Sequence, residues 1–296
     1  MTPKAFTPAQ TVFKPRMREI DSMKTTYNMN YLITITLLFS SLSIQAEQSY
    51  TFGIVPQQSA SKLAHLWGPV LQNISEKTGI KLQFATAPNI PTFEKRLAEG
   101  VYDIAYMNPY HFTVFHESPG YEALTKARDK WIKGIIVVRK DSPIQELTEL
   151  DNTALAFPAP AAFAASILTR SHLTSLGLDY TPKYVSSHDS VYRSVAKGLF
   201  PAGGGVIRTF ENLAPEIRNQ LRVLWTTNGY TPHAVAVHPR VDTNKAKKLQ
   251  EAMLDLENTN TGKNLLRLLK IKGLIPATNA DWDDVRNLNI NQLSKD

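Results

Sequence analysis

From Tyr50 to Trp225, short strand-like runs alternate with stretches of helical period, and that order restricts the chain to an α/β architecture. Residues 50–55 alternate as a strand and stop at Pro56. Leu63, Leu66, Trp67, Val70, Leu71 and Ile74 then recur at i, i+3, i+4, i+7, i+8 and i+11, one face of a helix that Gly79 can end. A strand over 81–86, a short helix over 92–99 closed by Gly100, and a strand over 102–108 follow. A helix over 110–116 ends at the turn signature Ser118-Pro119-Gly120. The same order then restarts: strands over 131–139 and 154–157, a helix over 161–176, a strand over 182–185, a helix over 189–199, a strand over 202–207, a helix over 210–218 and a strand over 221–225. This second set reads as a second lobe. After the turn-rich segment 226–232 come a strand over 233–238 and two amphipathic helices, 244–256 and 262–270. These have no sheet of their own and are expected to pack back on the first lobe. The chain would then cross between lobes near Lys133 and near Thr231, giving lobe one as 47–133 plus 232–296 and lobe two as 134–231.

Ahead of this pattern lies Tyr31 to Ile44, a 14-residue uncharged run preceded by Lys24 and followed by Gln45-Ala46. It has the form of a signal-peptide h-region with a small-residue cleavage site, and is shorter than the roughly 20 residues of a membrane span. The expected leader is 1–46, read either from Met1 or from Met23, in which case 1–22 is an upstream extension. Without residues 1–46 the chain keeps 28 Lys and Arg against 24 Asp and Glu, a formal charge of +4. That bias suits an anionic ligand, but there is no clustered basic stripe of the kind nucleic acid requires. The absence of cysteine excludes disulfides, thiolate metal sites and a lipid-modified Cys after the leader. A protein free in a periplasm is the simplest expectation.

Three strand-to-helix junctions carry the candidate chemistry. In Met107-Asn108-Pro109-Tyr110, Asn108 and Tyr110 stand where a strand ends, and Tyr110 is either a ligand contact or a buried tyrosine with its hydroxyl satisfied. In Pro158-Ala159-Pro160-Ala161-Ala162-Phe163-Ala164-Ala165-Ser166, small residues at a helix start let a ligand approach backbone N–H groups, or simply let the helix pack tightly on its sheet. In Ser186-Ser187-His188-Asp189-Ser190, Ser187, His188 and Asp189 open a helix. They either cap it or, with the free N–H groups of its first turn, hold an anion. Contiguous Ser-His-Asp is no protease triad, whose members meet from separated positions. Gly203-Gly204-Gly205 lacks the GxGxxG spacing and signals close backbone approach instead. Arg208 is an anion clamp or a solvated surface charge. His111 and His116 are five apart, off a common helical face, so no metal site is expected. No cofactor is expected, and no nucleophile or carboxylate pair commits the chain to catalysis.

With these residues in hand, the chain resembles the phosphate/phosphite/phosphonate-binding proteins of bacterial ABC importers over about 50–270. The matching pieces are Gly53-Ile54-Val55-Pro56, Asn108-Pro109-Tyr110, Val138-Arg139-Lys140-Asp141-Ser142 with Leu147 and Leu150-Asp151, and Ser187-His188-Asp189 with Val195, Gly198 and Gly203. The resemblance implies a type II periplasmic binding protein: two α/β lobes with mixed sheets flanked by helices, joined by two hinge crossings, with the ligand in the cleft. It implies oxyanion contacts at Tyr110 and His188, with Ala161, Ala162 and Phe163 in place of the Ser/Thr-rich anion loop of relatives. At the return crossing Thr231-Pro232-His233 lacks the acidic residue that aminoalkylphosphonate binders use there, which disfavours an ammonium-bearing ligand. The expected function is capture of a phosphate-like anion or simple phosphonate for a membrane permease, by a monomer. The alternative is a sensor on the same fold docking on a membrane histidine kinase or cyclase. If His188 acts as a cation, binding should weaken as pH rises.

Overall fold

The computed structural model describes residues 48–291 and 293. The expected leader lies outside them. Among the described residues no helix is long and apolar enough to cross a membrane.

Two mixed sheets organise the chain. The first contains β1 (Ser49–Ile54), β2 (Lys81–Ala85), β3 (Ile104–Met107) and β4 (Glu122–Ala127), and the second contains β5 (Gly134–Arg139), β6 (Thr153–Phe157), β7 (Tyr180–Tyr184), β8 (Ala202–Val206) and β9 (Leu221–Thr226). The chain then returns to the first sheet with β10 (Ala234–Val237) and β11 (Leu274–Pro276). The orders are β11-β4-β10-β3-β1-β2 and β7-β6-β8-β5-β9. In each, a first strand pairs in parallel with two neighbours, β1 with β2 and β3, β6 with β7 and β8. A strand arriving from the opposite sheet, β10 or β5, then inserts antiparallel. The two crossings run side by side: Ile132 N–H donates to the Tyr230 carbonyl at 2.8 Å, and Tyr230 N–H donates back at 3.0 Å.

Helices cover the sheets where apolar periodicity demands it. Helix α1 (Ala60–Thr78), with Ser59 as N-cap and a left-handed Gly79 at its end, buries Leu63, Trp67, Val70, Leu71 and Ile74. The C-terminal helices α8 (Thr243–Leu254) and α9 (Asn260–Leu268) join it on the same face of the first sheet, through Leu249, Met253, Leu265 and Leu266. Helices α2 (Ile90–Ala98), α3 (Pro109–Glu117) and α10 (Asp283–Arg286) serve the other face with Phe93, Phe112, Trp282 and Val285, while the short α6 (Ile207–Glu211) and α7 (Pro215–Arg218) lie between β8 and β9. In the second sheet β5 is buried on both sides, Ile135 and Val137 in one cluster and Ile136 and Val138 in the other, as a central strand with period two requires. Strands β4 and β11 were not anticipated. β4, Glu122-Ala-Leu-Thr-Lys-Ala, has little β-branched character, and β11 is three residues long.

The glycine run in β8 does what its composition suggested, for the protein's own backbone. A Cβ on Gly204 would stand 2.0 Å from the Ala165 carbonyl oxygen, and one on Gly134 of β5 would stand 2.1 Å from that of Ala164. Gly203 and Gly205 make equivalent room for Val191 and Tyr192 of α5 (His188–Ala196). The segment that starts at Phe163 therefore lies directly on the sheet. It begins as a π-helical turn, Phe163–Leu168, in which Ile167 N–H reaches back five residues to the Ala162 carbonyl, and continues as α4, Thr169–Ser175. Gly204→Ala should cost about 1–3 kcal/mol in urea unfolding, because the backbone it would meet cannot rotate aside. Gly68→Ala, in α1 with open space around it, should be neutral or gain up to about 1 kcal/mol.

Candidate functional site

The ends of β1 and β7 face each other across the gap between the sheets. After β1 the chain tightens around Pro56, with Gln57 N–H donating to the Val55 carbonyl at 2.8 Å. After β7 it tightens the same way around Ser186, with Ser187 N–H donating to the Val185 carbonyl at 3.0 Å and Ser186 held at φ +74°. A three-residue turn of that sign is strained for any residue but glycine, and persists where surrounding bonds over-determine it. Here the bond beyond it crosses between the sheets, His188 N–H donating to the Gln57 carbonyl at 3.2 Å. Asn108 Nδ2 donates across to the Ala161 carbonyl at 3.3 Å, Arg208 to Gln57 Oε1 at 3.0 Å, and Lys62 Nζ to the Asn212 carbonyl.

Between these contacts is a narrow space bounded by Val55, Gln57, Asn108, Ile132, residues 162–165, His188 and Val206. One wall is the start of the π-helical turn. Among the described residues the N–H groups of Phe163, Ala164 and Ala165 have no hydrogen-bond partner, as the first turn of a helix leaves them. Opposite stands His188, 2% exposed, with Nδ1 3.4 Å from Thr209 Oγ1. Burial, reinforced by the Arg208 charge, pulls its imidazole down to about 3. The imidazole is neutral at neutral pH, because desolvation penalises the cation and the neighbouring guanidinium repels it. The cationic His188 allowed by the sequence is therefore not the state this site favours.

The other sequence-derived residues take varied places. Asn108 bounds the space but serves mainly as a strut: its Oδ1 accepts from His111 N–H to cap α3 while its amide holds Ala161. Ala162 and Phe163 line the space, whereas Ala161 contributes its carbonyl to Asn108. Ser187 caps α5, its Oγ accepting from Ser190 N–H. Asp189 is not among the residues that border the space; burial raises its carboxyl, opposed by Lys62, Arg193 and the Ser59 backbone at the start of α1, and among the described residues its Oδ1 has no hydrogen-bond partner. Tyr110 is buried in the apolar cluster with Phe112 and Trp282, and its hydroxyl accepts from Leu293 N–H at 2.8 Å. Arg208 is half-buried above the Tyr106 ring, 5.4 Å from its centroid, and Tyr106 in turn stacks on His233 at 4.9 Å. Among the described residues no carboxylate lies within 4.0 Å of that guanidinium.

Gln57 is the site residue that the sequence reading missed. It carries no charge, but it stands immediately beyond the strand exit Gly53-Ile54-Val55-Pro56, a position equivalent to Ser187-His188 in the other lobe. Since Arg208 can only donate, the Gln57 amide is oriented with Oε1 toward the guanidinium, and its –NH2 remains a donor at the cleft.

The family model for the periplasmic substrate-binding protein of phosphonate ABC transporters matches residues 52–282. The chain belongs to that family. Similar proteins include the phosphate-import protein PhnD of Mycolicibacterium smegmatis, 19% identical over 81% of this chain and 85% of its own length. Two solved structures share the fold. The binding-protein component of an ABC phosphonate transporter from Pseudomonas aeruginosa has a TM-score of 0.77 at 17% identity, covering 83% of this chain and 87% of that one. PhnD1 from Prochlorococcus marinus, in complex with methylphosphonate, has a TM-score of 0.73 at 17% identity, covering 82% and 99%. As a member of this family the chain is a periplasmic component of an ABC transporter, binding a small ligand and working with a membrane permease.

A neutral His188 has a spectroscopic consequence. Its ring resonances should stay fixed from pH 8 to pH 5 in an NMR titration, because protonation falls far below that window. A midpoint between 5 and 8 would contradict the burial argument.

Proposed function

We propose that the gap between the lobes captures a small phosphorus oxyanion, phosphate-like or a simple alkylphosphonate, and that the lobes close on it by bending at the paired crossings before delivery to the permease. The observation that carries this reading is the row of unpartnered N–H groups at Phe163, Ala164 and Ala165, set against the Gln57 amide and a neutral His188. Hydrogen bonds from N–H groups to a charged acceptor contribute roughly 1.5–3 kcal/mol each, so main-chain donors alone supply useful affinity without hydroxyl side chains. The remaining walls, Val55, Ile132, Phe163 and Val206, are apolar and suit a short alkyl substituent on phosphorus. Bonds such as His188 N–H to Gln57 and Asn108 to Ala161 join residues of the two lobes, which supports a closed form stabilised by protein contacts as well as by ligand.

Methylphosphonate at 100 times its dissociation constant adds about 2.7 kcal/mol of stability, a rise of about 5–10 °C in melting temperature for a chain of this size. Gln57→Leu should reduce that affinity by about 10- to 100-fold, through loss of one amide donor. No shift with phosphate, phosphite or methylphosphonate would remove the proposal.

A second expectation concerns charge on the ligand. Among the described residues no carboxylate borders the space, so the ammonium of aminoethylphosphonate would be buried without a counter-charge. Aminoethylphosphonate should bind at least about tenfold more weakly than methylphosphonate by calorimetry, since leaving a buried charge unpaired costs more than one hydrogen bond returns. Equal affinities would show that an acidic group reaches the amine.

A further inference from the structure

We infer that His188 presents its ring to the ligand as a hydrogen-bond acceptor, so that the site selects oxyanions carrying a proton on one oxygen, and discriminates hydrogen-phosphonate and hydrogen-phosphate monoanions from sulfonates. This rests on the capture reading above, in which His188 faces the ligand, and deepens it to a specificity.

The argument starts at Thr209 and Tyr192, both buried behind the imidazole. Thr209 Oγ1 lies 2.8 Å from Tyr192 Oη, 2.9 Å from the Val206 carbonyl oxygen and 3.4 Å from His188 Nδ1. Tyr192 Oη accepts from Val206 N–H at 3.0 Å and lies 3.1 Å from the Val206 carbonyl. Two hydroxyl protons serve these contacts, and a carbonyl can only accept. If Tyr192 donates to Thr209 and Thr209 donates to Val206, both of the shortest O···O contacts carry a proton. If instead Thr209 donated to His188, at least one O···O approach of 2.8–2.9 Å would be left between bare lone pairs. The first arrangement is therefore favoured, and it leaves on Thr209 Oγ1 a lone pair that only a proton on His188 Nδ1 can meet. With one proton on a neutral imidazole, Nε2 is bare.

Among the described residues Nε2 has no hydrogen-bond partner, and His188 borders the space that Gln57 and the Phe163–Ala165 N–H groups also border. Those groups all donate. The bare nitrogen is the complementary element: it repels a fully deprotonated oxygen and accepts from P–OH. The charged and titratable groups around His188 are Arg208 and His233 from the elements beside it, and Tyr192 and Asp189 on its own helix. Arg208 opposes a second proton on the ring. A sulfonate has no such proton at any pH the protein tolerates, and an alkylphosphonate loses its own above the second ionisation.

The test uses the mature protein. Long-range proton–nitrogen correlation on the 15N-labelled, unliganded protein should show His188 as the Nδ1–H tautomer, and an Nε2–H ring overturns the inference. By calorimetry at pH 6, methanesulfonate should bind at least about 100-fold more weakly than the isosteric methylphosphonate, because a site built around a ligand O–H rejects the analogue lacking it. Methylphosphonate affinity should fall about tenfold per pH unit above its second ionisation, with the midpoint moving lower for the more acidic chloromethylphosphonate. A flat profile, a midpoint indifferent to the ligand, or equal binding of methanesulfonate overturns it. Thr209→Val removes the acceptor for Nδ1–H and lets the ring retautomerise. The preference for methylphosphonate over methanesulfonate should then shrink at least about tenfold, while unchanged discrimination overturns the role of Thr209. Failure of every phosphorus oxyanion to bind would bring down the capture reading and this inference with it, whereas phosphonate binding by an Nε2–H ring would bring down this inference alone.

Discussion

A backbone N–H removed from water needs an acceptor, and the start of a helix is where the chain has none to offer. Among the described residues, the N–H groups of Phe163, Ala164 and Ala165 are in this position at the gap between the sheets. Much of the surrounding structure is explained by where they are held. Gly134 and Gly204 admit the carbonyls of Ala164 and Ala165 onto the second sheet, and the π-helical turn accommodates this low approach. Asn108 fixes the preceding peptide from the other side by donating to Ala161. Geometry on this scale is set by packing of main chain against main chain, which leaves little freedom for the donors to drift.

Polar contacts around the gap divide by whether they bind the lobes to each other or leave a group for something else. The peptide N–H of His188, the Asn108 amide and the Arg208 guanidinium are engaged across the lobes, while the Gln57 –NH2 and the imidazole are not. Burial settles the electrical character of the second set. With His188 neutral and Arg208 directed to Gln57 and Tyr106, positive potential at the space comes from peptide dipoles and from the guanidinium at one remove.

Periodicity and turn residues were enough to anticipate the α/β order and the helix faces of α1, α8 and α9, whereas they suggested parallel sheets; the mixed two-sheet fold, with β10 and β5 inserted antiparallel, followed only from the family resemblance. Strands with weak composition were not legible. Glu122–Ala127 owes its strand state to pairing with β10 and β11, a tertiary cause that no local propensity shows. The site was legible as three junctions but less so residue by residue. His188, Asn108, Ala162 and Phe163 do border one space, because strand ends in parallel sheets place their following helices side by side. The Tyr110 hydroxyl, by contrast, meets a backbone N–H 183 residues away, and Asp189 meets Lys62 and the Ser59 backbone at the start of α1. Such choices depend on which neighbour arrives, and in a sequence Gln57 looks like any other polar residue after a proline.

A cradle made of main-chain donors has an unusual relation to its own coding. The N–H groups at Phe163, Ala164 and Ala165 belong to the peptide and are carried by every residue except proline, so, where the packing on the sheet admits a substitution, the proposed anion-holding element leaves no side-chain signature. Comparison of side chains among distant relatives would then overlook it. Divergence in what the cleft prefers would register instead at its walls, at Ile132 and Val206, where added or deleted methyl groups alter the shape offered to a substituent.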